Sequence, residues 1–79
     1  MTTGRTLVTG AAGFLGANLV AALAARGTPV TALVRARSNL GRLRRLAPGV
    51  QPVACDLDDR GRLDRLFAVA APETVYHLA

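Results

Sequence analysis

The sequence alternates short, continuous apolar runs with longer segments in which apolar residues recur every three or four positions. Short runs rich in Val, Leu and Thr are typical of strands that are buried on both faces of a parallel sheet. The longer segments have the spacing of helices with one apolar face. Gly, Pro or Asp residues separate the segments, as expected where strands turn and helices begin or end. The pattern therefore predicts the order strand, helix, strand, helix, strand, helix, strand.

The bounds of the predicted elements follow from these breaks. Strands are predicted over residues 5–9, 28–34, 50–54 and 74–78, and the first two helices over residues 14–25 and 39–47. Ser38 is the predicted N-cap of the second helix, and Asp58 or Asp59 caps the third, which Pro72 ends. The side chains predicted to face inward are Leu15, Leu19, Val20, Leu23 and Ala24, then Leu40, Leu43 and Leu46, then Leu63, Leu66, Phe67 and Ala70.

Short connections and right-handed crossovers make this order a parallel sheet with helices on both faces. The expected class is α/β, a Rossmann-like sheet with strand order 3-2-1-4. The chain has 79 residues, fewer than the ~100–150 of a typical domain, and its last strand would be an unpaired apolar edge. We therefore interpret residues 1–79 as the first half of a doubly wound fold, an N-terminal portion without a second domain.

The charge of the chain is uneven and narrows the classes of function. The formal net charge is +5, every basic residue is Arg, and all acidic residues come after residue 55. Without Lys, these residues contain neither a Walker A phosphate loop nor a Lys Schiff base. A basic first half predicts an anionic partner, either a phosphorylated cofactor or nucleic acid. Nucleic acid is disfavoured because Phe14, Phe67 and Tyr76 are predicted on apolar faces rather than on a stacking surface.

The remaining composition points to an ordinary soluble domain. Cys55 is the one cysteine, so an internal disulfide is excluded, and we predict a buried thiol at a strand end. No apolar stretch reaches the ~18 residues of a membrane span, and the N-terminus lacks the pattern of a secretory signal. A cytoplasmic location without a metal site or a membrane is the expectation.

Three glycines follow the first predicted strand at a spacing of three residues. Gly10 is expected to turn the backbone, Gly13 to let a pyrophosphate approach the main chain, and Gly16 to let the helix pack closely. The N–H groups of Gly13, Phe14 and Leu15 are predicted to face the phosphates at the helix N-terminus. The alternative is a glycine-rich turn that binds no ligand.

The run Thr-Gly-x-x-Gly-Phe-Leu-Gly, from Thr9 to Gly16, resembles the N-terminal motif of the extended short-chain dehydrogenase/reductase family. This family includes NAD(P)-dependent epimerases, dehydratases and reductases. The resemblance implies that these residues bind the dinucleotide cofactor. The family's catalytic Tyr-x-x-x-Lys pair has no counterpart in these 79 residues, so no catalytic residue is assigned here.

The residue at the end of the second strand predicts which cofactor is bound. About twenty residues past the glycine motif, NAD-binding folds place an Asp or Glu that accepts from the adenosine ribose. Here that position is Arg35, whose planar fork suits the 2′-phosphate of NADP. Arg42 resembles the second basic residue that NADP-preferring members of the family carry at the next helix. We therefore predict NADP over NAD; the alternative for Arg35 is a solvated charge at a strand end.

Other polar residues near Arg35 are less strongly indicated as phosphate-binding residues. Arg37 and Ser38 are possible additional donors to the phosphate. For Arg37, Arg44 and Arg45 the preferred interpretation is a set of exposed helix-surface cations.

The later strands carry further residues that match the family. Asp56 and Leu57 resemble an Asp-Leu pair that contacts the adenine, although Asp56 is alternatively a turn or capping residue. Residues 75–79 resemble the family's V-x-H-x-A signature, which implies that Leu78 and Ala79 line the cofactor cleft. His77 is interpreted as a histidine packed beneath that cleft rather than as an acid–base group.

The leading hypothesis is the N-terminal segment of an NADP-dependent reductase or epimerase/dehydratase. In the full-length protein it would transfer hydride at a secondary alcohol or carbonyl of a small molecule or nucleotide sugar. The alternative is a non-catalytic NADP-sensing module of the same fold, so whether the protein is an enzyme stays open. The substrate, reaction direction and oligomeric state do not follow from these residues.

Overall fold

The computed structural model describes residues 4–78, and strands and helices alternate along them. The elements are β1 (Thr6–Thr9), α1 (Phe14–Ala25), β2 (Val30–Val34), α2 (Gly41–Leu46), β3 (Pro52–Ala54), α3 (Arg60–Ala70) and β4 (Thr74–His77). Their order is as predicted, and the predicted bounds of α1 are confirmed. Each of the four strands is one or two residues shorter than predicted, at one end, and α2 is three residues shorter in total.

The four strands form one parallel sheet in the order β3-β2-β1-β4, which confirms the predicted α/β, Rossmann-like topology. Thr6 of β1 pairs with Val30 on one side and with Thr74 on the other. On the far side of β2, Ala32 pairs with Pro52. Because every strand runs the same way, all four carboxyl ends lie along one edge of the sheet.

The two faces of the sheet are covered to different extents. Alternate residues of a strand point to opposite faces, so Val8 and Ala32 pack with Val20 of α1 and Leu43 of α2 in one core cluster. On the other face, a smaller cluster contains the buried residues Leu7, Leu33 and Cys55. Leu63, Leu66 and Phe67 of α3 cover that second cluster, but no residue of α3 is itself buried.

Two leucines predicted to face inward point outward instead. Leu15 is 69% exposed and Leu46 is 38% exposed. Leu15 lies in the first turn of α1, next to the similarly exposed Phe14. Leu46 is the last residue of a helix of only six residues, and the next residue, Ala47, is the one buried in the core with Leu43.

The helix caps divide into one confirmed prediction and one error. The Asp59 carboxylate accepts a hydrogen bond from the N–H of Arg62 at 3.2 Å and caps α3, as predicted. Ser38 does not cap α2, because the helix begins at Gly41. The N–H of Gly41 instead donates to the side-chain oxygen of Asn39 at 2.9 Å, and this local turn delays the helix.

The strands begin at the opposite edge of the sheet. There, Arg5 forms hydrogen bonds with the loop after α3. The Nε of Arg5 donates to the carbonyl of Ala71 at 2.9 Å, and its backbone N–H donates to the Glu73 carboxylate at 3.2 Å. Ala71 holds a φ of 44°, a left-handed conformation that costs energy for a residue with a Cβ. Among residues 4–78, no helix is both long and apolar enough to cross a bilayer.

Candidate functional site

The turn between β1 and α1, residues 10–16, is shaped by its glycines and is called the glycine turn below. Gly10 has a φ of 66°, in the left-handed region that glycine enters without a steric cost. A Cβ on Gly16 would lie 2.1 Å from the carbonyl oxygen of Gly10 and 2.8 Å from the Cα of Ala11. Because these neighbours are backbone atoms, they cannot move aside. The predicted roles of Gly10 in turning the chain and of Gly16 in close packing are therefore confirmed.

The N-terminus of α1 emerges from this turn with hydrogen-bond donors available. Gly13 occupies the N-cap position without a side-chain cap, and the first turn has no acidic residue. The N–H groups of a first helical turn lack an intrahelical acceptor, and those of Phe14 and Leu15 have none elsewhere within residues 4–78. This helix end can therefore donate hydrogen bonds to an anion, which the helix dipole also favours.

Of the two roles predicted for Gly13, the structure contradicts one. Its N–H donates to the carbonyl of Gly10 at 3.1 Å, so the prediction that this N–H is free for a ligand is wrong. Gly13 is exposed, and its missing side chain leaves the main chain open to close approach at the mouth of the turn.

The carboxyl ends of the strands border a cleft of about 940 Å³, called the main cleft below. In open α/β sheets, ligands bind at this edge and next to the point where the strand order reverses. That point lies here between β1 and β4, since β2 and β3 extend the sheet in the opposite direction. Among the predicted site residues, those that line the main cleft are Gly10, Gly13, Arg35, Asp56, Leu57 and Leu78.

The loop after β2 is held beside the main cleft by its own hydrogen bonds. The N–H of Arg35 donates to the hydroxyl of Ser38 at 3.1 Å, and the N–H of Ser38 donates to the carbonyl of Arg35 at 3.0 Å. The Asp56 carboxylate accepts from the N–H of Ala36 at 3.2 Å. The backbone of Arg35 is therefore fixed while its side chain remains exposed. Asp56 closes the loop with one oxygen, and a carboxylate has a second oxygen with which to accept from a ligand.

A second pocket of about 590 Å³ shares part of its lining with the main cleft and extends toward α2. We call it the arginine pocket because its lining contains Arg35, Arg37, Arg42 and Arg45. Within the described residues, no carboxylate belongs to that lining. Four cations without a counter-charge create a positive potential that attracts an anion. The Cζ of Arg42 also lies 5.6 Å from the centre of the Phe14 ring.

The arginine pocket contains two arginines that the sequence favours as exposed surface cations. Arg37 and Arg45 are exposed, as predicted, and both line the pocket with Arg35 and Arg42. The signal for Arg45 was its spacing, because residues three apart on a helix share a face. Arg44 lies outside the lining.

Thr9 is a residue of this edge that sequence reasoning did not single out. It is 3% exposed, and its hydroxyl accepts from the N–H of Leu78 at 3.0 Å. The same hydroxyl lies 2.8 Å from Nδ1 of His77. Thr9 therefore joins the carboxyl ends of β1 and β4 and positions Leu78 at the main cleft. The available signal was a hydroxyl at the last position of a strand that is otherwise buried and mostly apolar.

The side chain of His77 is placed differently from the prediction. It is exposed rather than packed, as are all four residues of β4. Its hydrogen bond to Thr9 nevertheless gives it a structural contact. The thiol of Cys55 is buried at 3% exposure, as predicted.

The remaining predicted site residues lie around the two pockets or outside the described chain. Arg42 lines the arginine pocket with Gly13 and Arg35. Within residues 4–78, the linings of both pockets omit Phe14, Leu15 and Gly16. Phe14 and Leu15 have backbone N–H groups at the end of α1, and Gly16 packs against the carbonyl of Gly10. Ala79 lies outside the described residues.

Comparison with known proteins gives the family of this chain. The family model described as the NAD dependent epimerase/dehydratase family matches residues 6–79. Among curated relatives, the chain is 49% identical over 75 residues to "Sterol demethylase protein B" of Methylococcus capsulatus. It is also 49% identical over 68 residues to the L-xylulose reductase of Mus musculus. These matches cover 94% and 86% of this chain but only 21% and 28% of the two relatives.

Solved structures agree with this assignment. A UDP-glucose 4-epimerase of Thermus thermophilus in complex with NAD superposes with a TM-score of 0.80 at 37% identity, covering 95% of this chain and 24% of that one. The enzyme WbmG of Bordetella bronchiseptica, in complex with NAD and UDP, gives 0.83 at 30% identity, with 99% and 25% covered. The glycine turn, the parallel sheet and the family match agree, and the chain belongs to the NAD dependent epimerase/dehydratase family.

Proposed function

We propose that residues 1–79 are the dinucleotide-binding N-terminal portion of an NADP-dependent reductase or epimerase/dehydratase. The observation that carries the proposal is the position of Arg35, which follows β2 directly and lines both the main cleft and the arginine pocket. A carboxylate at this place would accept from a ribose hydroxyl, whereas a guanidinium donates and is attracted to a phosphate.

The pyrophosphate of the cofactor fits the glycine turn. An exposed backbone at Gly13 and the unpaired N–H groups of Phe14 and Leu15 supply close approach and donors. Gly16 supports this arrangement from behind, because any side chain there would collide with the carbonyl of Gly10. The residues present therefore fit a diphosphate at the start of α1.

The adenosine end of the cofactor fits the main cleft and the arginine pocket. Arg35 and Arg42 would hold the 2′-phosphate, and the Asp56 carboxylate with the backbone of Leu57 would meet the adenine. Leu78, together with Ala79, would supply apolar contact beside β4. The support for these roles is that Arg35, Asp56, Leu57 and Leu78 share one cleft.

The proposed preference for NADP would distinguish this chain from the two structural neighbours described above. The Thermus and Bordetella structures hold NAD, while the basic loop after β2 in this chain favours a cofactor with an additional phosphate. We expect the protein to bind NADPH more tightly than NADH.

The chemistry proposed for the full-length protein is hydride transfer at a secondary alcohol or carbonyl of a small molecule or nucleotide sugar. The nicotinamide would carry the hydride, and the residues of this chain would bind and orient the adenosine and phosphate groups. Support comes from the family and from the UDP-bound and UDP-glucose-related neighbours. The buried lone Cys55 supports an expected location in the reducing cytoplasm.

A non-catalytic module that binds NADP as a sensor is the second candidate. It would keep the glycine turn and Arg35 and would lack a Tyr-x-x-x-Lys pair. The sequence beyond Ala79 separates the two candidates, and the intact mass of the protein as its cell makes it, compared with the 8.2 kDa of these residues, shows whether the chain extends that far. A larger mass with Tyr-x-x-x-Lys beyond Ala79 supports the enzyme, and a chain without that pair supports the sensor.

The cofactor proposal is tested by titrating the full-length protein with NADPH and with NADH. A charge-assisted contact to the 2′-phosphate is worth about 1.5–3 kcal/mol, so we expect NADPH to bind roughly 10- to 100-fold more tightly. Equal affinities would overturn the NADP proposal. Binding of neither cofactor would overturn the assignment of a dinucleotide site.

A further inference from the structure

The side chain of Phe14 is used by none of the roles described so far. Its backbone N–H belongs to the helix end, but the residue is 66% exposed to solvent. The ring is also in contact with a charge, since the Cζ of Arg42 lies 5.6 Å from its centre. This distance is within the ~6 Å at which a guanidinium is attracted to the face of an aromatic ring.

The contact joins two parts of the proposed cofactor site. Phe14 follows Gly13 directly, and Arg42 lies near the start of α2, a helix of only six residues. Gly13 and Arg42 line the same pocket, together with Arg35. The ring therefore stands at the border between the glycine turn and the arginine pocket.

A surface arginine has a long side chain whose rotamers must be ordered before it can hold a ligand, at a cost in entropy. A ring that already holds the guanidinium reduces that cost. An aromatic face makes this contact without neutralising the charge, whereas a carboxylate partner would cancel the positive potential. Within the described residues, no carboxylate lines the pocket, so the charge of Arg42 stays available to an anion.

We propose that the ring of Phe14 is a positioning residue for Arg42 and thereby increases discrimination between NADPH and NADH. The inference rests on the proposed function, because it assumes that Arg42 meets the 2′-phosphate. It adds a side-chain role to a position whose backbone alone was assigned.

The test is a comparison of Phe14→Leu with Phe14→Tyr in the full-length protein, measured as the ratio of NADPH to NADH affinity. An exposed cation–π contact corresponds to roughly a two- to fivefold effect. We therefore expect Phe14→Leu to lower the ratio by that factor and Phe14→Tyr, which keeps the ring, to preserve it. In an Arg42→Ala background, Phe14→Leu should leave the ratio unchanged. Val69→Ala, at an 87% exposed position of α3, is the matched control.

The outcomes separate this inference from the proposed function. An unchanged ratio in Phe14→Leu, an equal loss of both affinities, or the same fall in the Arg42→Ala background would overturn the positioning role while NADP selection stands. A wild-type protein without NADPH preference would overturn both. The NMR shift of the Arg42 Nε–H, compared between wild type and Phe14→Leu, then shows whether the ring contact itself exists.

Discussion

The glycine turn and the arginine pocket lie side by side, but they are built from different parts of the chain. In the glycine turn, the donors are backbone N–H groups, and the shape is fixed by Gly10 and Gly16, where a side chain would be strained or would collide. In the arginine pocket, the groups available to a ligand are long exposed side chains such as Arg35 and Arg45.

This difference suggests how the two regions divide recognition. A backbone turn is ordered before a ligand arrives and offers the same donors to any diphosphate. Side-chain cations are ordered only on binding and respond to a single additional phosphate. We therefore expect the glycine turn to determine whether a dinucleotide binds and the arginine pocket to determine which one.

The largest expected effect comes from Gly16→Ala, which changes the backbone of the glycine turn. The new Cβ would lie 2.1 Å from the Gly10 carbonyl oxygen, and overpacking of this kind costs about 3 kcal/mol or more at the upper end of the usual range. NADPH and NADH affinities should fall together, and the free energy of unfolding should fall too. Chemical denaturation and cofactor titration measure both.

The control is Gly49→Ala, where a Cβ meets nothing within 4 Å. It should leave stability and both affinities nearly unchanged. If Gly16→Ala reduced the affinity for NADPH alone, the backbone turn would be selective, and the division between the two regions would be wrong.

Arg35→Ala should have the next largest effect and should act on one cofactor. Loss of a charge-assisted bond predicts a drop in NADPH affinity of roughly 10- to 100-fold, with a much smaller change for NADH. Titration of both cofactors gives the answer. The matched control is Arg44→Ala, since Arg44 lies on α2 outside the pocket linings. Parallel losses for NADPH and NADH would contradict a selective role for Arg35.

The smallest effect is expected at the opposite edge of the sheet. Ala71 adopts a φ of 44°, so Ala71→Gly should relieve strain and raise the free energy of unfolding by about 0.5–1 kcal/mol. Neither cofactor affinity should change, because this edge carries no residue of the proposed site. Denaturant unfolding measures the gain, and a shift in the NADPH to NADH ratio would show that stability and selection are coupled.

The fold could be predicted from the sequence because the spacing of the apolar residues and the positions of the turn residues indicate the same strands and helices. Short apolar strands, Gly27 after α1 and the Asp59 cap all favour the same alternation. The errors occurred at element ends such as Ser38 and Leu46, where a local turn or a short helix changes which side chain faces the sheet.

The candidate site could be predicted at positions where only one residue type fits. It could be predicted less well where the role of a group depends on which other group it contacts. Gly10 and Gly16 were recognisable because only glycine fits their positions. The amide of Gly13 was misjudged because its acceptor, a carbonyl three residues earlier, depends on the exact turn. The contact between Phe14 and Arg42 was not visible, because it joins two helices whose relative placement no local pattern encodes.

The hydroxyl of Thr9 has a consequence for how the molecule assembles. Its partner His77 lies 68 positions further along the chain, and β1 occupies an inner place in the sheet with β4 on one side. During synthesis, β1 can pair with β2 before β4 has emerged, so its other edge stays open for longer. Contacts between residues so distant in sequence close slowly. The carboxyl edge that the glycine turn borders is therefore expected to form later than the pairing of β1 with β2.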